Sequence, residues 1–293
     1  MTERYRFRTL ALTDPWKIQP FLRAFEDSAP ASKRSVRHVL LTIDTGSIIA
    51  LRWPFHAAVP RFLEAMAATV ETLVLSTGQA EHYRSVVQAL ANPQLVFPRL
   101  THLTLAMPMM FSDVPHGPAS APPFVRHELF PSITHLHLVL RMPLNLLSSY
   151  NLLSRVISLP SSVHLRNLRI SGVSSRNLST YLVYLLGLGK DSPASTESIM
   201  PSLPLSIQNC IIELASSRSS IGSMSRSMIP ELTNIVGMNN EKGRVKFRLL
   251  SRSPVTKRPS LKEIWLQVQA CERDPEEDWK LDSEENWKLD SDS

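Results

Sequence analysis

One short pattern constrains this chain more than any other feature: apolar-x-x-apolar-x-apolar, repeated at intervals near 30 residues along most of its length. It occurs as Phe7-x-x-Leu10-x-Leu12, Val36-x-x-Val39-x-Leu41, Val70-x-x-Leu73-x-Leu75, Leu100-x-x-Leu103-x-Leu105, Ile133-x-x-Leu136-x-Leu138, Leu165-x-x-Leu168-x-Ile170 and Leu261-x-x-Ile264-x-Leu266. The start-to-start separations are 29, 34, 30, 33, 32 and 96. The last is three times 32, so one or two degenerate copies are expected in the gap, with Ile207-x-x-Cys210-x-Ile212 a weak candidate. A period of this length is the signature of stacked supersecondary units.

Numbering the pattern from its first apolar residue, positions four and six fall on one face of a short strand, and positions three, five and seven on the other. Helical spacing follows the strands: Leu22 and Phe25 after the first, Phe62, Leu63 and Met66 after the second, Tyr83, Val86, Val87 and Leu90 after the third. Leu178, Leu182, Leu185 and Leu186 follow the sixth, and Ile229, Leu232, Ile235 and Val236 precede the seventh. A strand–helix unit of this size cannot bury its own apolar face and must stack on its neighbour. The expected fold is α/β: an irregular leucine-rich-repeat-like solenoid with short parallel strands on the concave face, backed by helices.

Composition narrows the field. With 43% apolar residues in 293 the chain buries a core, which excludes disorder, collagen and coiled coil. Nine glycines leave little for phosphate-cradling loops. The formal charge is +6, but residues 272–293 hold ten acids and three bases, so that end carries −7 and the rest +13. The domain expectation is a repeat domain over residues 1–271 and an acidic disordered tail over 272–293. Cys210 and Cys271 lack metal-spaced partners and read as reduced thiols, and no apolar stretch approaches the ~20 residues that span a bilayer. A cytoplasmic or nuclear location is expected.

The segments RFRTLALTDPWKIQPFLRAF, SVRHVLLTI, VETLVLS, FPRLTHLTLA, FPSITHLHLVL, HLRNLRIS and PSLKEIWLQV resemble the irregular leucine-rich repeats that follow the F-box in fungal F-box proteins. The resemblance covers about residues 4–269 and implies protein recruitment for ubiquitin transfer, with the repeats holding the substrate and the F-box holding a cullin adaptor. Two departures stand out. No Leu-Pro-led F-box segment is evident, so adaptor binding is expected only if an upstream F-box is missing from this chain. The ninth position is Pro15, Asp44, Gly78, Pro108, Arg141, Val173 or Gln269 rather than the family's Asn, so an uneven solenoid is expected.

Enzymatic signatures are few. Asp44-Thr45-Gly46 is similar to the loop of aspartic proteases, whose chemistry needs two carboxylates sharing a proton. A single copy would require a dimer, and a turn leaving the second strand explains Asp44 as well. Position three reads Thr9, His38, Thr72, His102, His135 and Asn167, and position five adds His137. The imidazoles of His102, His135 and His137 are able to hold zinc, but no carboxylate stands in the same columns of neighbouring strands, and a solvated polar face accounts for them better. Gly187-Leu188-Gly189-Lys190 lacks the remainder of a P-loop, and His127-Glu128 lacks a second His.

The bases Lys242, Arg244, Lys246, Arg248, Arg252, Lys257 and Arg258 surround Phe247 and offer a nucleic-acid alternative, but they read more simply as a basic loop. Ser112–Pro123, Lys190–Ser206 and Ser216–Ser227 read as linkers, and Trp279–Ser283 is repeated at Trp287–Ser291. The resulting expectation is a non-catalytic protein-recognition scaffold without cofactor or membrane partner. Its contact residues are His102, Thr104, His135, His137, Asn167, Arg169 and Trp265, and its partner is a protein.

Overall fold

Alternating side chains commit the motifs from Phe7 to Ile207 to strands, and these seven with one further strand form one open, all-parallel sheet in the computed structural model. Residues 8–28, 35–43, 55–78, 86, 89–90, 92, 94–107, 129–144, 164–173, 178–186, 203–214, 234–237, 239, 245–250, 262 and 266 are described. The strands are β1 (Thr9–Leu12), β2 (His38–Ile43), β3 (Thr72–Thr77), β4 (His102–Met107), β5 (His135–Leu144), β6 (Asn167–Val173), β7 (Asn209–Leu214) and β8 (Lys246–Leu250). Spatial order equals chain order. Every crossover therefore leads to the adjacent strand, and each is long enough for the return that parallel pairing requires.

The register of the sheet is the register of the motif. Position three pairs with position three throughout: Thr9, His38, Thr72, His102, His135, Asn167, Asn209 and Lys246 lie in one column. A repeated backbone bond pins it. From β1–β2 to β6–β7 the position-two carbonyl of one strand accepts the N–H groups of positions two and three of the next, at 2.7–3.1 Å. Val36, Val70, Leu100, Ile133, Leu165 and Ile207 at position one are buried, as are the position-four and position-six residues from Val39 to Ile212. Each such side chain contributes about 1.5–3 kcal/mol by leaving water.

Helices cover that apolar face: α1 (Ile18–Ser28), α2 (Phe55–Ala67) and α3 (Leu178–Leu185). A 3-10 turn at Pro15–Lys17 leads into α1, and Asp14 accepts the Trp16 N–H at 3.0 Å. Helix α1 buries Ile18, Leu22 and Phe25, spaced to share one face, and α2 buries Val59, Phe62, Leu63 and Met66. The stripes read from the sequence thus face the core. Between units, the Thr69 hydroxyl donates to the Val36 carbonyl and accepts the Val36 N–H, at 2.9 and 3.2 Å. Phe97 and Phe130, from the two Phe-Pro turns, pack with centroids 5.6 Å apart.

At the C-terminal side the Ile207 candidate is a strand, β7, in the gap where a further copy was expected, whereas two expectations are corrected. A further strand, β8, lies in what read as a basic loop. Phe247 there is 2% exposed and belongs to the core, so it offers no stacking surface. The Leu261 motif read as the last strand, yet Lys262 and Leu266 are helical and Leu266 is exposed. Leu261, Ile264 and Trp265 also satisfy helical i, i+3, i+4 spacing, which is why the pattern was ambiguous.

The chain divides into two compact units, Met1–Thr256 and Lys257–Ser293, and the sheet belongs to the first. Asp44-Thr45-Gly46, Trp265, most of the linker segments and the acidic tail lie outside the described residues. Among the described residues, no helix is long and apolar enough to cross a membrane.

Candidate functional site

The second face of the sheet carries positions three, five and seven. Position five is apolar on β2 and β3, where Leu40 and Val74 are buried beside the buried polar His38, Thr72 and Ser76 of positions three and seven, and turns polar on β4, β5 and β6. Six of the residues read from the sequence gather there: His102 and Thr104 on β4, His135 and His137 on β5, Asn167 and Arg169 on β6. They are not the solvated row the sequence suggested. Thr104 and Asn167 are 5% and 8% exposed, and the other four are half-buried.

Side-chain bonds along the position-three column explain how polar groups tolerate this burial. The Thr101 hydroxyl donates to the Glu71 carbonyl at 3.1 Å and the Thr134 hydroxyl to the Thr101 carbonyl at 3.1 Å. Each hydroxyl has one proton, so toward the neighbouring imidazole it accepts, from His102 Nδ1 at 2.9 Å and from His135 Nδ1 at 2.8 Å. His135 therefore carries its proton on Nδ1, leaving Nε2 to accept from the Asn167 amide at 2.7 Å. Asn167 in turn accepts from the Asn209 amide at 2.7 Å. The chain of donors runs one way, from Asn209 through Asn167 and His135 to Thr134 and the backbone of β4's entry.

A neutral His135 is required by this arrangement, since a protonated ring has no acceptor for Asn167. Electrostatics agree: burial, then the adjacent His102 and Arg166, push its pKa down from 6.5 to about 3. The His102 and His135 rings stack 4.1 Å apart with planes 12° from parallel. Stacked rings aim their lone pairs side by side in their own planes, whereas a zinc ion needs them to converge. The zinc reading of these histidines is therefore set aside. Among the described residues no three His, Cys, Asp or Glu gather as a metal would require.

Position five begins a second network. Ser171 donates its proton to Glu213 Oε2 at 2.7 Å, so it accepts from His137 Nε2 at 2.8 Å, and Arg169 pairs with the same carboxylate oxygen at 3.2 Å. The order His–Ser–Glu is the reverse of a nucleophile activated by a base, because the hydroxyl proton points at the acid instead of the imidazole. Glu213 is buried and Arg169 partly so. Gly172, with φ 87°, places Ser171 for this role. It is the extra residue on β6 where Ser171 pairs with Glu213 and Val173 with Leu214, a bulge whose conformation penalises any side chain.

Sequence reading missed Thr101, Thr134, Ser171, Asn209 and Glu213, the last reaching His137 only through Ser171. The signal was present in the repeated Thr-His dipeptides and in positions three and seven of the Ile207 copy. Comparison with family models, curated proteins and solved structures gives no match.

Proposed function

We propose that the chain is a non-catalytic protein-recognition scaffold, a leucine-rich-repeat-like solenoid whose contact surface is the polar face of β4–β7. The observation that carries this reading is the directional network from Asn209 to Thr134, which orients Asn167 and His135, together with the Thr101 bond and the His135 stack that orient His102, before any partner arrives. Side chains already ordered lose little entropy on binding. The proton order at Ser171 and the stacked imidazoles favour recognition over hydrolysis. The resemblance to F-box receptors extends the proposal: the bound protein is a substrate for ubiquitin transfer, with a cullin adaptor engaged only if an upstream F-box is missing from this chain.

The test is a tagged pull-down with mass spectrometry, comparing the native chain with a His102→Gln, His137→Gln double variant. Glutamine keeps polar groups at both positions while changing the shape and chemistry of the surface. Circular dichroism and a melting curve establish that the variant is folded. A partner lost only from the folded variant supports the reading, and a partner retained in full removes this face from the interface.

A further inference from the structure

Within the strands and their position-two entries, the residues whose side chains are described include six cations, Arg8, Arg37, Arg166, Arg169, Lys246 and Arg248, against two carboxylates, Glu71 and Glu213. Both carboxylates are engaged. Glu71 lies 3.6 Å from Arg37, and Glu213 holds Arg169 and Ser171. The excess is densest at one end of the sheet, where β6–β8 bring Arg166, Arg169, Lys246 and Arg248 around the single Glu213. Parallel strands lie about 4.8 Å apart and rise about 3.3 Å per residue, so these four span roughly 10 Å across the strands and about 10 Å along them.

Arg166 and Lys246 are exposed and have no ion pair among the described residues. Arg169 is incompletely matched as well, since its Nε is buried without a hydrogen-bond partner. A face with this excess draws anions from solution and holds them without first breaking an ion pair at Arg166 or Lys246. The neutral His135 near Arg166 adds no charge of its own, and both its ring nitrogens are already engaged.

We propose that the strand-entry end of β6–β8, where the position-two Arg166 lies near His135 and Lys246 begins β8, docks a carboxylate-rich segment of a partner protein, with Arg166 and Lys246 as its principal electrostatic contacts. This deepens the recognition reading and rests on it. An acidic peptide fits better than a nucleic acid because single strands are held by stacking on exposed aromatic rings. Phe247, the aromatic residue of β8, is buried in the core. Glutamate and aspartate side chains need only the spaced cations that are present.

The probe is a fluorescein-labelled oligoglutamate of about ten residues, titrated by anisotropy against the full chain at low and at moderate salt. An Arg166→Glu, Lys246→Glu variant is compared with single reversals and with Arg23→Glu on α1, which is exposed and outside the sheet. The expected result is binding that weakens with salt, falls about tenfold in the double variant, and is unchanged in Arg23→Glu. No binding at low salt overturns the proposal, as does an equal loss in Arg23→Glu scaled to charge, or tighter binding of an oligouridylate of the same charge. Circular dichroism keeps a misfolded variant from counting as a loss, and the single reversals then supply the reading. A pull-down partner that is lost with the histidine variant but survives the double charge reversal overturns the acidic assignment and leaves the recognition reading standing. Oligoglutamate binding with no partner lost to the histidine variant separates the two the other way.

Discussion

His135 donates through Nδ1 and accepts through Nε2, and that division fixes how it responds to acid. Its pKa is lowered to about 3 in the fold against an ordinary value of 6.5. The unfolded chain therefore binds the extra proton first as pH falls. Stability from this residue is complete above pH 6.5 and declines toward pH 3, with a slope approaching about 1.4 kcal/mol per unit. Urea midpoints measured across that range should fall with acid, and His135→Asn should flatten the trend because Asn does not titrate. Thr134→Val leaves the His135 N–H without its acceptor and should cost about 1–3 kcal/mol by denaturation. Cys210 is the opposite case, a thiol facing the core at position four, pushed up to about 12 by burial. In a Cys271→Ser background it should resist thiol reagents until the sheet unfolds, and a stopped-flow labelling trace that is fast under native conditions contradicts that placement.

Among elements, β6 shows most clearly how a local irregularity serves the site. Gly172 at positive φ lets the strand bulge so that Ser171 meets His137 on one side and Glu213 on the other. Gly172→Ala should cost about 1–2 kcal/mol and loosen the Arg169–Glu213 pair, visible as a lower melting temperature. The bulge could not be read from the sequence, because Ser-Gly-Val is equally compatible with a regular strand end. The strands from β1 to β6 were legible because positions one, four and six are apolar in each. In β8 the alternation of Lys246, Phe247, Arg248 and Leu249 carries the same period of two, but Arg244 at position one and the flanking bases disguised it. The polar networks were legible only as columns. The sequence shows that His102, His135 and Asn167 align, but not that threonine hydroxyls orient the rings or that a glutamate two strands from His137 closes the second network.

For the whole molecule, stacking each strand on the next makes stability a sum of neighbour contacts, and removal of an end strand's anchor should act locally. Phe247→Ala empties a core position in the edge strand and should cost about 3–5 kcal/mol, with hydrogen exchange accelerating in β7 and β8 more than in β2 and β3. The same sequential order places polar positions from β4, β5, β6 and β7 side by side on one face, which no single unit supplies. That shared face as a recognition surface is the central claim, and a photo-crosslinking residue tests it directly. Installed at position 102 on the polar face and, separately, at position 23 on α1, it should yield one discrete protein adduct from the first and none from the second. Adducts of equal yield from both positions, or only from position 23, would contradict the assignment of recognition to the β4–β7 face.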